Sequence, residues 1–176
     1  KSSASVTANS IVAPNGTLTA DLIYNNTAGQ TGYIEHSPST VTSGTTYCYS
    51  FFAKASTASV VNILLYGSSF NSNSSHVGRS YDLSAGTVST LAGTIAPSYS
   101  GIVPIGNGWY RCWLAHTATM TASTTIAQTI RMNSSNLNDG IYAWGYQIEA
   151  NATSPGQYQA VTTANTDRKS TRLNSS

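Results

Sequence analysis

Tyr47, Tyr49, Phe51 and Ala53 alternate with Cys48, Ser50, Phe52 and Lys54. A period of two with one apolar face marks a half-buried β-strand, because successive side chains in a strand point to opposite faces. The period recurs at Val61, Ile63 and Leu65. It appears again where Tyr110, Cys112 and Leu114 alternate with Trp109, Arg111 and Trp113. A fourth run sets Tyr142, Trp144, Tyr146 and Ile148 on one face against Ala143, Gly145, Gln147 and Glu149. No segment reads as a helix. Composition agrees, since Ser and Thr supply 51 of the 176 residues and Tyr outnumbers Phe 11 to 3. Thr, Tyr, Val and Ile favour strands, whereas the Leu, Glu, Lys and Gln that fill helices are scarce.

Turn residues punctuate these runs. Pro14-Asn15-Gly16 precedes Thr17–Tyr24, Ser43-Gly44 precedes Thr45–Ala55, Gly106-Asn107-Gly108 precedes Trp109–His116, and Asn138-Asp139-Gly140 precedes Ile141–Glu149. Asn-Gly and Asp-Gly tolerate the positive φ that tight turns need. Short strands at this spacing, with no helix between them, predict an all-β sandwich or barrel. Gly67–Ser80 is polar and long and reads as an exposed loop. Residues 150–166, with Pro155-Gly156 among Ala, Asn, Thr and Ser, read as an exit from the domain. One domain is expected over 1–160, with an exit linker over 161–166.

The last ten residues stand apart. Asp167 to Ser176 reads Asp-Arg-Lys-Ser-Thr-Arg-Leu-Asn-Ser-Ser, which resembles an in-frame translation of a widely used sequencing adapter. Setting 167–176 aside as non-native leaves five basic and five acidic residues, so the formal charge of +2 disappears. A neutral body has no basic face to neutralise phosphates, which argues against nucleic acid as a partner. No run approaches the roughly 18 apolar residues of a membrane span, so no membrane partner is expected. The first residue is Lys1, and the chain is expected to be part of a longer, oligomeric one.

The motifs of hydrolysis are missing. There is no Gly-x-Ser-x-Gly elbow, no His-Glu-x-x-His and no Gly-rich phosphate loop. His36, His76 and His116 lie far apart, and Asp82 and Asp139 are better explained as turn residues than as a catalytic pair. No enzymatic activity is therefore expected. Cys48 and Cys112 could form one disulfide, but Cys112 shares the phase of Tyr110 and Leu114 while Cys48 opposes Tyr47 and Tyr49. Cβ vectors that point apart cannot be bridged, so free thiols are expected. Asn-x-Ser/Thr matches at Asn15, Asn25, Asn73, Asn133 and Asn151 are what chance gives in so Asn-, Ser- and Thr-rich a chain.

Aromatic side chains carry the remaining signal. A sugar ring packs its C–H face on a flat aromatic ring and bonds its hydroxyls to polar neighbours. Trp113 is the leading candidate platform, because it opposes the inward phase of its strand. Arg111 shares its face as a hydroxyl partner, and Trp144 is a second candidate ring.

Five segments together resemble one family. They are Ala13–Asp21 (Ala-Pro-Asn-Gly-Thr-Leu-Thr-Ala-Asp), Thr45–Ala55, Tyr81–Val88 (Tyr-Asp-Leu-Ser-Ala-Gly-Thr-Val), Gly106–Cys112 (Gly-Asn-Gly-Trp-Tyr-Arg-Cys) and Gly140–Glu149. In order and spacing they are similar to the jelly-roll domains, themselves like carbohydrate-binding modules, of bacteriophage tail, fibre and head-spike proteins. The resemblance covers residues 6 to about 160. It implies a two-sheet antiparallel jelly roll, no catalytic role, and a place on a virion assembled in the host cytoplasm. The partners it implies are other virion proteins and a cell-surface glycan. The family usually has Ser or Thr where Trp113 stands, and its opening strand, usually bearing a Trp, is expected to be truncated or missing before Lys1. No cofactor is expected beyond a structural calcium, common in carbohydrate-binding jelly rolls, with Asp21 and Glu149 as candidate side-chain ligands. The alternatives are a decoration or assembly domain without glycan affinity, and an extracellular carbohydrate-binding module of a secreted polysaccharide-degrading enzyme.

Overall fold

A computed structural model describes residues 1–66, 76–119 and 122–160. The exit linker 161–166 and the adapter-like tail 167–176 lie outside the described residues. Twelve strands are present among the described residues, and no helix. They are β1 (Ala4–Val12), β2 (Leu18–Asn25), β3 (Tyr33–Val41), β4 (Thr46–Ala55), β5 (Val60–Tyr66) and β6 (His76–Asp82). The remainder are β7 (Thr87–Thr90), β8 (Thr94–Ile95), β9 (Tyr99–Gly106), β10 (Trp109–Thr117), β11 (Ala122–Met132) and β12 (Gly140–Ala150).

The strands form two sheets. One runs β1-β2-β12-β4-β10-β9. The other runs β3-β11-β5-β6-β7, with β8 pairing β6 in parallel. Within them β2 pairs β12, β3 pairs β11, β4 pairs β10 and β5 pairs β6, all antiparallel. The fold is an all-β sandwich, and this nesting of four pairs is compatible with a jelly roll.

The sandwich exists because the alternation supplies an apolar face to each sheet. Tyr49, Phe51, Ala53, Cys112 and Leu114 from the first sheet meet Val61, Ile63, Leu65, Val77 and Tyr81 from the second in one core. The expected inward faces of β4, β5 and β10 are those observed. The expected turn between β9 and β10 also forms, with Asn107 at φ 52° and Gly108 at φ 77°. Both turn aspartates act locally. Asp82 accepts from the Ser84 and Ala85 amides, and the Asp139 carboxylate accepts from Ser134 Oγ and Asn136 Nδ2.

Three expectations need correction. The loop expected over Gly67–Ser80 is shorter at its C-terminal end, because His76–Ser80 belongs to β6, whose Val77 and Ser80 are buried; residues 67–75 lie outside the described residues. The single face expected for Tyr142, Trp144, Tyr146 and Ile148 is split. Opposite β4, Trp144 pairs Phe52 and Gln147 pairs Ser50, so β12 spends one extra residue there. Gly145 sits in that bulge at φ 63°. Before it Ile141 and Ala143 face the core while Tyr142 and Trp144 face out; after it Tyr146 and Ile148 pack on the core. Finally, residues 150–160 are not a free exit but pack on the outer face of the first sheet.

Candidate functional site

That outer face is built in cross-strand rows. In the middle row Val103, Arg111, Phe52 and Trp144 follow one another across β9, β10, β4 and β12. The next row is Gly101, Trp113, Ser50 and Gln147. Phe52, Trp109, Ala13 and Ala20 are buried there as a second, smaller apolar cluster, joined by Ile11, Tyr142, Trp144 and Tyr158.

Trp113 is half-buried, and its ring lies close against the backbone of β9 at Gly101. A Cβ built at Gly101 would stand 2.7 Å from Trp113 Nε1 and two ring carbons. The indole therefore occupies the space that a side chain on β9 would take, lying against the neighbouring strand. Beneath it the strand is fixed from inside the sandwich, because buried Tyr81 donates its hydroxyl to the Trp113 carbonyl at 2.6 Å. Ser50, its other cross-strand neighbour, is small.

Arg111 and Trp144 have partners within the chain. The Arg111 guanidinium lies 5.3 Å from the centre of the Phe52 ring, donates through Nη2 to Ser50 Oγ at 3.0 Å and through Nη1 to the Gly156 carbonyl. Desolvation lowers its pKa, partly opposed by the charge of Glu149. Both Glu149 oxygens accept the Gly156 N–H, at 3.1 and 3.0 Å. One residue of the segment 151–160, Gly156, is thus clamped by a cation on its carbonyl and an anion on its amide. Further along, the Tyr158 ring packs, tilted, 4.6 Å from Trp144 and 5.6 Å, edge-on, from Phe52. Gln147 Oε1 accepts the Gln159 N–H at 3.0 Å, and Trp144 Nε1 donates to Thr19 Oγ1 at 3.1 Å. The segment is a strap across the sheet. At the other end of the face, beyond the strap, an open groove of about 490 Å³ is lined by Val12, Lys54, Ile105, Asn107, Trp109 and Tyr142 among others.

The structure brings Trp113 and Arg111 to one face, as alternation predicts, and adds Trp144 through the Gly145 bulge. It does not bring Asp21 and Glu149 together. Asp21 lies opposite Ala143 and Glu149 is six residues further along β12, on the order of 20 Å of strand. Glu149 is occupied by Gly156, Asp21 accepts the Asn9 N–H at 3.0 Å, and no three His, Cys, Asp or Glu side chains cluster among the described residues. These carboxylates do not fit a shared calcium, which needs six to eight converging oxygens. Gly101, Ser50 and Tyr158 are the participants that sequence reasoning missed. A glycine on the strand beside a tryptophan is a usable signal only once the register is known.

Both cysteines are free and buried, on opposite faces of the first sheet. Burial, with Glu149 nearby, pushes the Cys48 thiol up to about 12, and burial raises Cys112 as well.

No protein-family model matches the chain, and no curated protein matches it significantly.

Proposed function

We propose that this domain is a non-catalytic, carbohydrate-contacting jelly roll of a virion appendage, a tail fibre or head spike. The nested strand order and the family resemblance support the module type. The observation that carries the sugar contact is Trp113, an indole laid against the Gly101 backbone on the outward side of a sheet, held from behind by Tyr81. A ring so backed is rigid, and rigidity lowers the entropy cost of stacking a sugar on it. The neutral Ser- and Thr-rich body suits close display of many copies, since no long-range repulsion builds up between them.

Glycan-array screening of the wild-type protein and of Trp113→Ala tests this. Selective binding by the wild type, lost in the variant, is expected. A blank array for wild-type protein of verified fold would overturn the sugar contact.

One observation favours a second reading, a decoration or assembly domain. The strap already covers the centre of the outer face, bonds Arg111 through the Gly156 carbonyl and packs Tyr158 against Trp144, whose N–H is taken by Thr19. Under this reading the array stays blank while the domain still joins its parent particle.

A further inference from the structure

A cavity elsewhere in the molecule has a different chemistry. The pairing of β12 with β2 ends at Ala143 opposite Asp21, and the Gly145 bulge follows at once. A slot of about 200 Å³ opens between the sheets at this point. Its floor is aliphatic and aromatic, from Ile23, Ile34, Phe51 and Ile130. Tyr146 and His36 contribute aromatic walls, their rings 4.9 Å apart. The volume admits a single six-membered ring and falls short of the roughly 300–1,000 Å³ of drug-sized pockets.

The slot contains an inward-facing carboxylate. Asp21 alternates with outward Ala20 and shares the phase of core Ile23. It is half-buried, its one hydrogen bond among the described residues comes from the Asn9 amide, no Lys or Arg lines the slot, and the exposed Glu35 adds a second carboxylate to its lining. An ionised carboxylate has about four acceptor positions, and the Asn9 amide fills one of them. The Tyr146 hydroxyl, which also borders the slot, donates to Gln128 Oε1. The slot therefore offers an anion and aromatic faces above an apolar floor, the surroundings that favour an organic cation.

We propose that this slot binds a small organic ammonium ion, its N–H groups bonded to Asp21 and its ring or alkyl body resting on Ile23, Ile34 and Phe51. The site is separate from the outer-face sugar contact, and Trp113→Ala leaves it intact.

Isothermal titration calorimetry with matched pairs tests the proposal: cyclohexylammonium against cyclohexanol, glucosamine against glucose, and putrescine against 1,4-butanediol. The last two pairs separate an amino sugar from a chain-borne amine. A preference of at least about tenfold for the charged member of any pair is expected, equivalent to about 1.4 kcal/mol. Asp21→Asn keeps an oxygen for the Asn9 amide and is expected to erase that preference. Ala143→Leu, which fills the slot, is expected to abolish binding of both members, with a far-UV melt showing that the sandwich persists. Parity in all three pairs, or a preference that survives Asp21→Asn, would overturn it. The comparison within wild-type protein holds even if a variant fails to fold.

Discussion

Gly145→Ala is the most informative single substitution, because one residue sets which side chains of β12 face the core and which face the strap. Two costs arise. Gly145 sits at φ 63°, where an L-residue with a Cβ is less stable than glycine by roughly 1–2 kcal/mol. The new Cβ would also stand 2.9 Å from Phe52 Cδ2 and 3.0 Å from Tyr158 Cε2, and overpacking of this kind costs roughly 1–3 kcal/mol. Alanine restricts the unfolded chain and returns about 0.4–1 kcal/mol. The net expectation is a loss of about 1.5–4 kcal/mol, or roughly 3–16 °C in Tm for a domain of this size. Urea denaturation of Gly145→Ala, Phe52→Leu and the double variant separates the two costs. Relief of the ring contact gives a coupling of about 1 kcal/mol in the double variant, while the backbone cost persists. A loss below about 1 kcal/mol for Gly145→Ala would refute the bulge as described.

Three further outcomes follow from the same geometry. Gly101→Val is expected to lift the Trp113 indole off β9, shifting tryptophan emission to the red and weakening glycan binding; an unchanged spectrum would contradict the close packing of ring on backbone. Tyr81→Phe removes the hydroxyl from the Trp113 carbonyl and is expected to lower stability by about 1–1.5 kcal/mol in urea, with no change counting against that bond. Burial raises Cys48, Cys112, Tyr49 and Tyr81 above their ordinary values, so the folded state holds these protons more tightly than the unfolded chain. Their contribution is complete below the unfolded thiol value near 9 and is lost as pH rises from there through about 12 for Cys48. The urea midpoint is therefore expected to be lower at pH 10.5 than at pH 7, and Ellman's reagent at pH 8 to label both thiols only after unfolding; rapid native labelling would contradict their burial.

Much of the sandwich was legible because its central strands alternate without interruption. Tyr47 to Ala53 and Tyr110 to Leu114 face the core as their period requires. The free cysteines follow from the same phase argument. The alternation misled at β12, where a bulge reverses the phase without disturbing the pattern of residue types. Gly145 was the one visible mark of it, and an isolated glycine in a strand is compatible with several structures. Composition misled at 150–160, where Pro, Gly, Ser and Thr look like a linker, yet Tyr158 and the Gly156 peptide hold the segment to the sheet. The face carrying Trp113 and Arg111 was readable, but the partners that occupy Arg111 and Trp144 come from distant parts of the chain. The resemblance offers Asp21 as a calcium ligand, whereas the structure turns it into the slot between the sheets.

The sugar contact at Trp113 is tested most directly by amide chemical-shift mapping with a saccharide selected on the array. Stacking on the indole is expected to shift Gly101, Trp113 and Ser50, neighbours in one cross-strand row, and to leave Ile34, His36 and Ile130 around the inter-sheet slot unchanged. Shifts confined to other surfaces, or none at saturating saccharide, would contradict a glycan platform on this face.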